Sequence, residues 1–261
     1  MTLTTLAQPP SLGPMRRRAV VLPVALLLGW EFLSHSGLAD SRFLPPLEAV
    51  AARAWTELVD GQLLLDIAMS LTRDIAGFVI AAVLGVPVGL ALGLSRVVER
   101  VFGPTFSAYR QIALFAWVPL ISMWFGTGEE AKVAFVALAA SNPIVFNSAE
   151  GARSIPAPYR EVARVLTFGR WQLLRYVALP GAFPSIVTGL HLGLIYAWLA
   201  TVGAEFFLNL GPGLGGRINE GRELFQMDLL LLCVLLLGVI GVLLNKLAGL
   251  AEARLLAWQR R

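Results

Sequence analysis

Reactive side chains at workable spacings are scarce in this chain. The histidines are His35 and His191, and Cys233 is the single cysteine. That leaves a His/Cys metal cluster short of ligands and excludes an intrachain disulfide or a CxxC redox pair. The lysines are Lys132, after Ala131, and Lys246, after Asn245. Neither fits the GxxxxGK[ST] loop that cradles nucleotide phosphates. Gly211, Gly213 and Gly216 spell GxGxxG. A dinucleotide site needs that motif between a strand and a helix; here it joins two apolar runs, so it reads as a turn.

A second group consists of polar residues inside apolar runs, where they are costly and often functional. Asn142, Asn147, His191, Tyr196, Thr201 and Glu205 are candidates for lining a solute path, with helix-to-helix hydrogen bonding the competing role for each. Arg110 is expected near the cytoplasmic start of a span, where it can snorkel without binding an anion. Trp117, Trp124 and Trp198 could line a path or anchor at the interface.

The third group is a basic segment, residues 158–180, PYREVARVLTFGRWQLLRYVALP. Pro158 suits a helix start, and Tyr159–Leu166 provides two turns. Val162, Val165 and Leu166 share one face, with Arg160 and Arg164 on another. Gly169 permits a bend, and a second short helix over Arg170–Val177 is expected to end before Pro180. Such a helix can lay its apolar stripe on lipid or in a partner's groove.

The elements that must carry these residues are membrane spans. Hydrophobic residues make up 57% of the chain and charged ones 15%, against about 25% charged in a soluble domain. The length fits about six spans, read at 19–35, 75–94, 104–125, 131–149, 181–206 and 228–250. Residues 1–18 and 259–261 read as tails around one transmembrane domain, 19–258, whose long inner loop is 150–180. The N-terminal run after Arg16–Arg18 resembles a signal peptide, with small residues near Ser36–Ala39; an uncleaved first span fits the apolar remainder better. Arginines concentrate in the segments that are inside if both termini are cytoplasmic. They are scattered rather than pooled with aromatics, so the net charge of +4 gives no nucleic-acid signal. Leu47–Val59 has helical apolar spacing and reads as an amphipathic helix against the outer face. Gly77, Ala81, Gly85, Gly89 and Gly93 form a ladder of small residues for close helix approach. Packing within one subunit is its commoner use, contact between subunits its sharper one.

With these residues in view, the chain resembles the permease subunits of type I ABC importers. Their inner loop runs E-A-A-x-x-x-G and, nine residues later, I-x-L-P; here stand Glu161, Val162, Ala163, then Val177, Leu179 and Pro180. Val162 replaces an alanine, and Thr167 stands where glycine is usual, with Gly169 two residues on, which puts the site of the bend in question. The branch handling nitrate, taurine and aliphatic sulfonates is the most similar, through Ser70–Phe78, Trp117–Lys132, Ala197–Glu205 and Gly213–Asp228; Ala113 departs from the proline of many relatives. The resemblance implies an all-α fold of two permease copies, expected to be identical, in a bacterial inner membrane. The loop would dock on a cytoplasmic ATPase dimer through Arg160, Glu161, Ala163, Gly169, Leu179 and Pro180. ATP and Mg would be bound by that partner, with no cofactor in this chain and no catalysis by it. An extracytoplasmic binding protein would deliver the solute.

Two other classes would demand different residues. An ion-coupled transporter or channel would favour paired intramembrane carboxylates or inverted repeats. An intramembrane enzyme would need a nucleophile with its base, paired catalytic carboxylates or metal ligands within the spans. Neither pattern is evident in the sequence.

Overall fold

A computed structural model describes residues 13–36, 40, 43–208 and 211–260. The first part of the expected N-terminal tail, the small residues 37–39 and Arg261 lie outside the described residues. The described segments are helical: α1 Gly13–His35, α2 Leu47–Val59, α3 Gln62–Leu94, α4 Arg96–Gln111, α5 Val118–Phe125, α6 Glu129–Arg153, α7 Ala157–Val165, α8 Arg170–Leu173, α9 Leu179–Phe207, α10 Leu214–Glu223 and α11 Met227–Leu255. α3, α6, α9 with its leading turns (Arg170–Phe207), and α11 are long and apolar enough to cross a membrane.

α6 is the central helix, lying against α3 on one side and α9 on the other. The glycine ladder of α3 explains the closeness. A Cβ at Gly77 would fall 2.5 Å from Val136 Cγ1, and one at Gly89 2.5 Å from the Val145 carbonyl oxygen. Ala81 is buried in the same seam with Phe135, Val136, Ala140 and Ile144. The ladder therefore serves packing inside the subunit. α9 answers with Gly189 against Asn147 and Gly193 against Ile144.

Three expectations are corrected. The second span starts at Gln62 rather than residue 75. The third, expected as one helix over 104–125, is broken. α4 ends at Gln111, Ala113 is extended, Leu114–Trp117 makes a 3-10 turn, and Pro119 opens α5. Proline is favoured in a first helical turn, where its missing N–H costs nothing. The broken segment still runs the length of α6: Glu99 pairs with Arg153 at one end of that helix, and α5 finishes four residues before Glu129 at the other. Third, Pro180 does not stop the helix that begins at Arg170. Leu174–Ala178 form a π turn, with Leu179 N–H on the Leu174 carbonyl, and Pro180 falls in the first turn of α9. Widening the turn lets the chain pass a residue without a donor.

The expected amphipathic helix forms as α2 over the same residues. The end of α1 ties it down: Glu31 Oε2 accepts from Leu47 N–H at 3.1 Å and Trp30 Nε1 donates to the Pro45 carbonyl at 2.9 Å. Its inward side is partly polar, with Glu57 buried, while Trp55 and Val59 face out.

Candidate functional site

The inner loop is built on the C-terminus of α6. Arg160 Nη2 donates to the carbonyls of Ala152 at 2.9 Å and Arg153 at 3.2 Å, two of the last carbonyls of α6, which a helix leaves without partners of its own. Ala163 is buried on the same side of α7. α7 ends in a Schellman motif: Phe168 N–H reaches the Ala163 carbonyl at 2.9 Å and Thr167 N–H that of Arg164 at 3.0 Å. The residue at the left-handed position is Thr167, with φ +53°. The bend thus stays at the place of the usual glycine. Gly169 is extended at the start of α8 and donates its N–H to Gln172 Oε1 at 2.8 Å. Leu179 packs with Leu90, Ala152 and Ile186, and Pro180 is exposed. Glu161 points outward in the same helix as exposed Tyr159, Val162, Val165 and Leu166. α7 therefore has a bonded inner side and an apolar, unpartnered outer side.

At the opposite end lies a buried charge cluster. Arg73, 2% exposed, donates to Glu205 Oε1 at 2.6 Å and Glu129 Oε1 at 2.7 Å. Glu205 also accepts from Ser70 Oγ at 2.8 Å and Gly215 N–H at 2.8 Å, and Lys132 Nζ stands 3.3 Å from Glu129. Arg217 joins Glu57, Asp66 and Glu220. Burial works against its charge, but those carboxylates more than offset this and raise its pKa. The turn before α10 needs its glycines here. Gly213 has φ +154°, and a Cβ there would meet Arg73 and Glu205 at 2.6 Å. Asp74, fully buried in α3, has no hydrogen-bond partner on either oxygen among the described residues.

The remaining polar candidates are spread through the bundle. His191 Nδ1 is 2.6 Å from Glu252 and Nε2 2.9 Å from Asn245, with Thr188 on the other Glu252 oxygen at 3.0 Å, so both ring nitrogens are engaged by α11 and its neighbours. Thr201 is buried and donates to the Ala197 carbonyl at 3.0 Å. Asn147 donates to the Pro143 carbonyl at 2.8 Å. Asn142 is half-buried and Tyr196 exposed. Trp198 is packed against α11, its Nε1 on the Leu237 carbonyl at 3.2 Å.

Residues 67–257 match the family described as "Binding-protein-dependent transport system inner membrane component". The chain belongs to that family. Its relatives include the bicarbonate transport system permease protein CmpB of Synechococcus elongatus, 33% identical over 98% of this chain and 94% of that one. The taurine transport system permease protein TauC of Escherichia coli is 32% identical, covering 89% and 86%. The riboflavin transport system permease protein RibX of Chloroflexus aurantiacus is 36% identical, covering 92% and 91%. In fold, the chain is similar to one from the inward-facing MetNI methionine ABC transporter: TM-score 0.65, 20% identity, 74% of this chain and 95% of that one.

This chain is accordingly an ABC importer permease subunit of the nitrate, sulfonate and taurine-like branch, an all-α multi-pass membrane protein. Sequence reasoning missed Ser70, Asp66 and Arg217 as partners of the Glu205 end, and Thr188, Asn245 and Glu252 around His191. The i, i+3 and i+4 spacing of Asp66, Ser70 and Arg73 on one helix face was an available signal. Their partners are 56 or more residues away, and periodicity carries no information about those.

Proposed function

We propose that two copies of this subunit form the pore and that α7, with the turn after it, is the element by which a separate ATPase dimer drives them. ATP and Mg belong to that partner, and this chain performs no catalysis. The carrying observation is the two-sidedness of α7: Arg160 holds it to α6 and Ala163 is buried, while its outer face presents Tyr159, Val162, Val165 and Leu166 beside Glu161. An exposed amphipathic helix of this kind fits an apolar groove. Glu161 would pair with the groove's charge, Ala163 allows close approach on the buried side of α7, and Gly169, Leu179 and Pro180 join the loop to α9. The setting is a bacterial inner membrane. The solute is of the nitrate, sulfonate or taurine kind, delivered by an extracytoplasmic binding protein and passing residues such as Asn142 and Tyr196.

The test is purification of the tagged chain from its host in mild detergent, followed by ATPase assays on the reconstituted assembly. Stoichiometric recovery of an ATPase is expected. Glu161→Arg should leave the permease folded and lower binding-protein-stimulated hydrolysis at least about tenfold, as loss of a hydrogen-bonded charge pair at an interface does. Unchanged stimulation in that variant would remove Glu161 from the docking face.

A further inference from the structure

Arg110 stands near the end of α4, about 21 Å along the helix axis from Arg96. It is not at the cytoplasmic start of its crossing, as its place in the sequence had implied. Its neighbour Tyr109 donates to the Leu138 carbonyl at 2.8 Å, near the middle of α6. The Arg110 guanidinium stacks over Phe146, 4.1 Å from the ring centroid, about 10 Å short of the α6 C-terminus. Among the described residues it has no carboxylate partner, whereas Arg153, at the inner mouth, is paired with Glu99 at 3.0 Å. A cavity of about 370 Å³ opens there between α4 and α6, and Ser107, Arg110 and Phe146 are part of its wall. Asn142 lies one turn above Phe146 on α6. A guanidinium at this depth is costly against hydrocarbon unless it faces water, a partner charge or a passing anion. Stacking on an aromatic face keeps the cation oriented without neutralising it.

The geometry points to Arg110 as a specificity-determining residue on the translocation path, attracting solutes that carry an anionic group such as a carboxylate, sulfonate or oxyanion. This rests on the permease reading above, since it requires the α4–α6 face to border a water-filled route. Phe146 sets the direction of the guanidinium, and Ser107 offers a hydroxyl beside it. The same arrangement disfavours cations.

The test uses the assembled transporter with Cys233→Ala and Ser107→Cys. The thiol at 107 is treated with a negatively and a positively charged methanethiosulfonate of similar size. With Arg110 present, the anionic reagent should react roughly fivefold faster or more, the size expected for a unit charge a few ångströms away in a partly aqueous site. Adding Arg110→Gln should abolish that preference, and Arg110→Lys should keep part of it. Equal rates for the two reagents with Arg110 present, or a preference that survives Arg110→Gln, would overturn the proposal. So would a thiol that neither reagent reaches, because the face would then be turned to lipid. Recovery of the ATPase with the permease is scored separately, so failure of the importer reading is distinguishable from failure of the Arg110 assignment.

Discussion

Arg73 joins Glu129 and Glu205 where α3, α6 and α9 meet, and both it and Glu205 are 2% exposed. Removing Arg73 leaves the Glu205 carboxylate buried without its counter-charge. Arg73→Leu is expected to cost about 3–5 kcal/mol, read as a large fall in thermal midpoint in detergent. An unchanged midpoint would mean that water relieves the cluster. Thr167 presents the opposite case. A β-branched residue at φ +53° is strained, by about 1–2 kcal/mol for an L-residue in the left-handed region, and glycine returns part of that as unfolded-state entropy. Thr167→Gly should therefore stabilise the loop by about 0.5–1 kcal/mol. Slower proteolysis after α7 would register this; faster cleavage would show that threonine makes a compensating contact.

The element scale is governed by α6 and the close approach that glycine allows. Along α3 the small residues at 77, 81, 85, 89 and 93 place backbone against side chain of α6, so an added methyl has nowhere to go. Gly89→Ala would put its Cβ against the Val145 carbonyl and Ser148. It is expected to destabilise by about 1–3 kcal/mol, the usual cost of overpacking, with loss of yield in the monodisperse fraction. A variant as stable as the parent would mean that α3 and α6 shift apart freely. Gly29, with no atom near its Cβ position, is the internal control. The break between α4 and α5 belongs to this scale too: two shorter helices cover one crossing, and the change of direction near Ala113 leaves Tyr109 and Arg110 beside the middle of α6.

For the whole molecule, the sorting of charge by end is the governing feature. The basic residues at the α2–α10 end are engaged: Arg53 with Glu57, Arg73 with Glu205, Lys132 with Glu129, Arg217 with Asp66, Arg222 over Phe206. At the loop end, Arg96, Arg100, Arg164, Arg170 and Arg175 have no ion-pair partner among the described residues, as expected for a cytoplasmic surface. Cys233 is buried, so replacing it leaves a clean background for thiol labelling. In Cys233→Ala, a cysteine replacing Val165 should react with an impermeant maleimide only in inside-out vesicles. One replacing Leu224 should react only in right-side-out vesicles. Labelling of both from one side would reverse or break the proposed orientation.

Hydropathy and motif spacing by themselves determined the class, the family and the place of α7, because each depends on local composition or on order along the chain. α2 was legible for the same reason: its apolar residues recur at helical spacing. What only the tertiary structure decided is which polar residues meet. Glu205 and His191 read as equal candidates for the path, yet each is saturated by partners from other helices. Gly213 of the apparent dinucleotide motif is there because the backbone crosses Arg73 and Glu205. Arg110, placed near the surface by its position in an apparent single span, stands beside the body of α6 because its helix begins at Arg96 and not at residue 104. Side-chain periodicity reports a residue's own helix, whereas burial and pairing depend on helices distant in sequence.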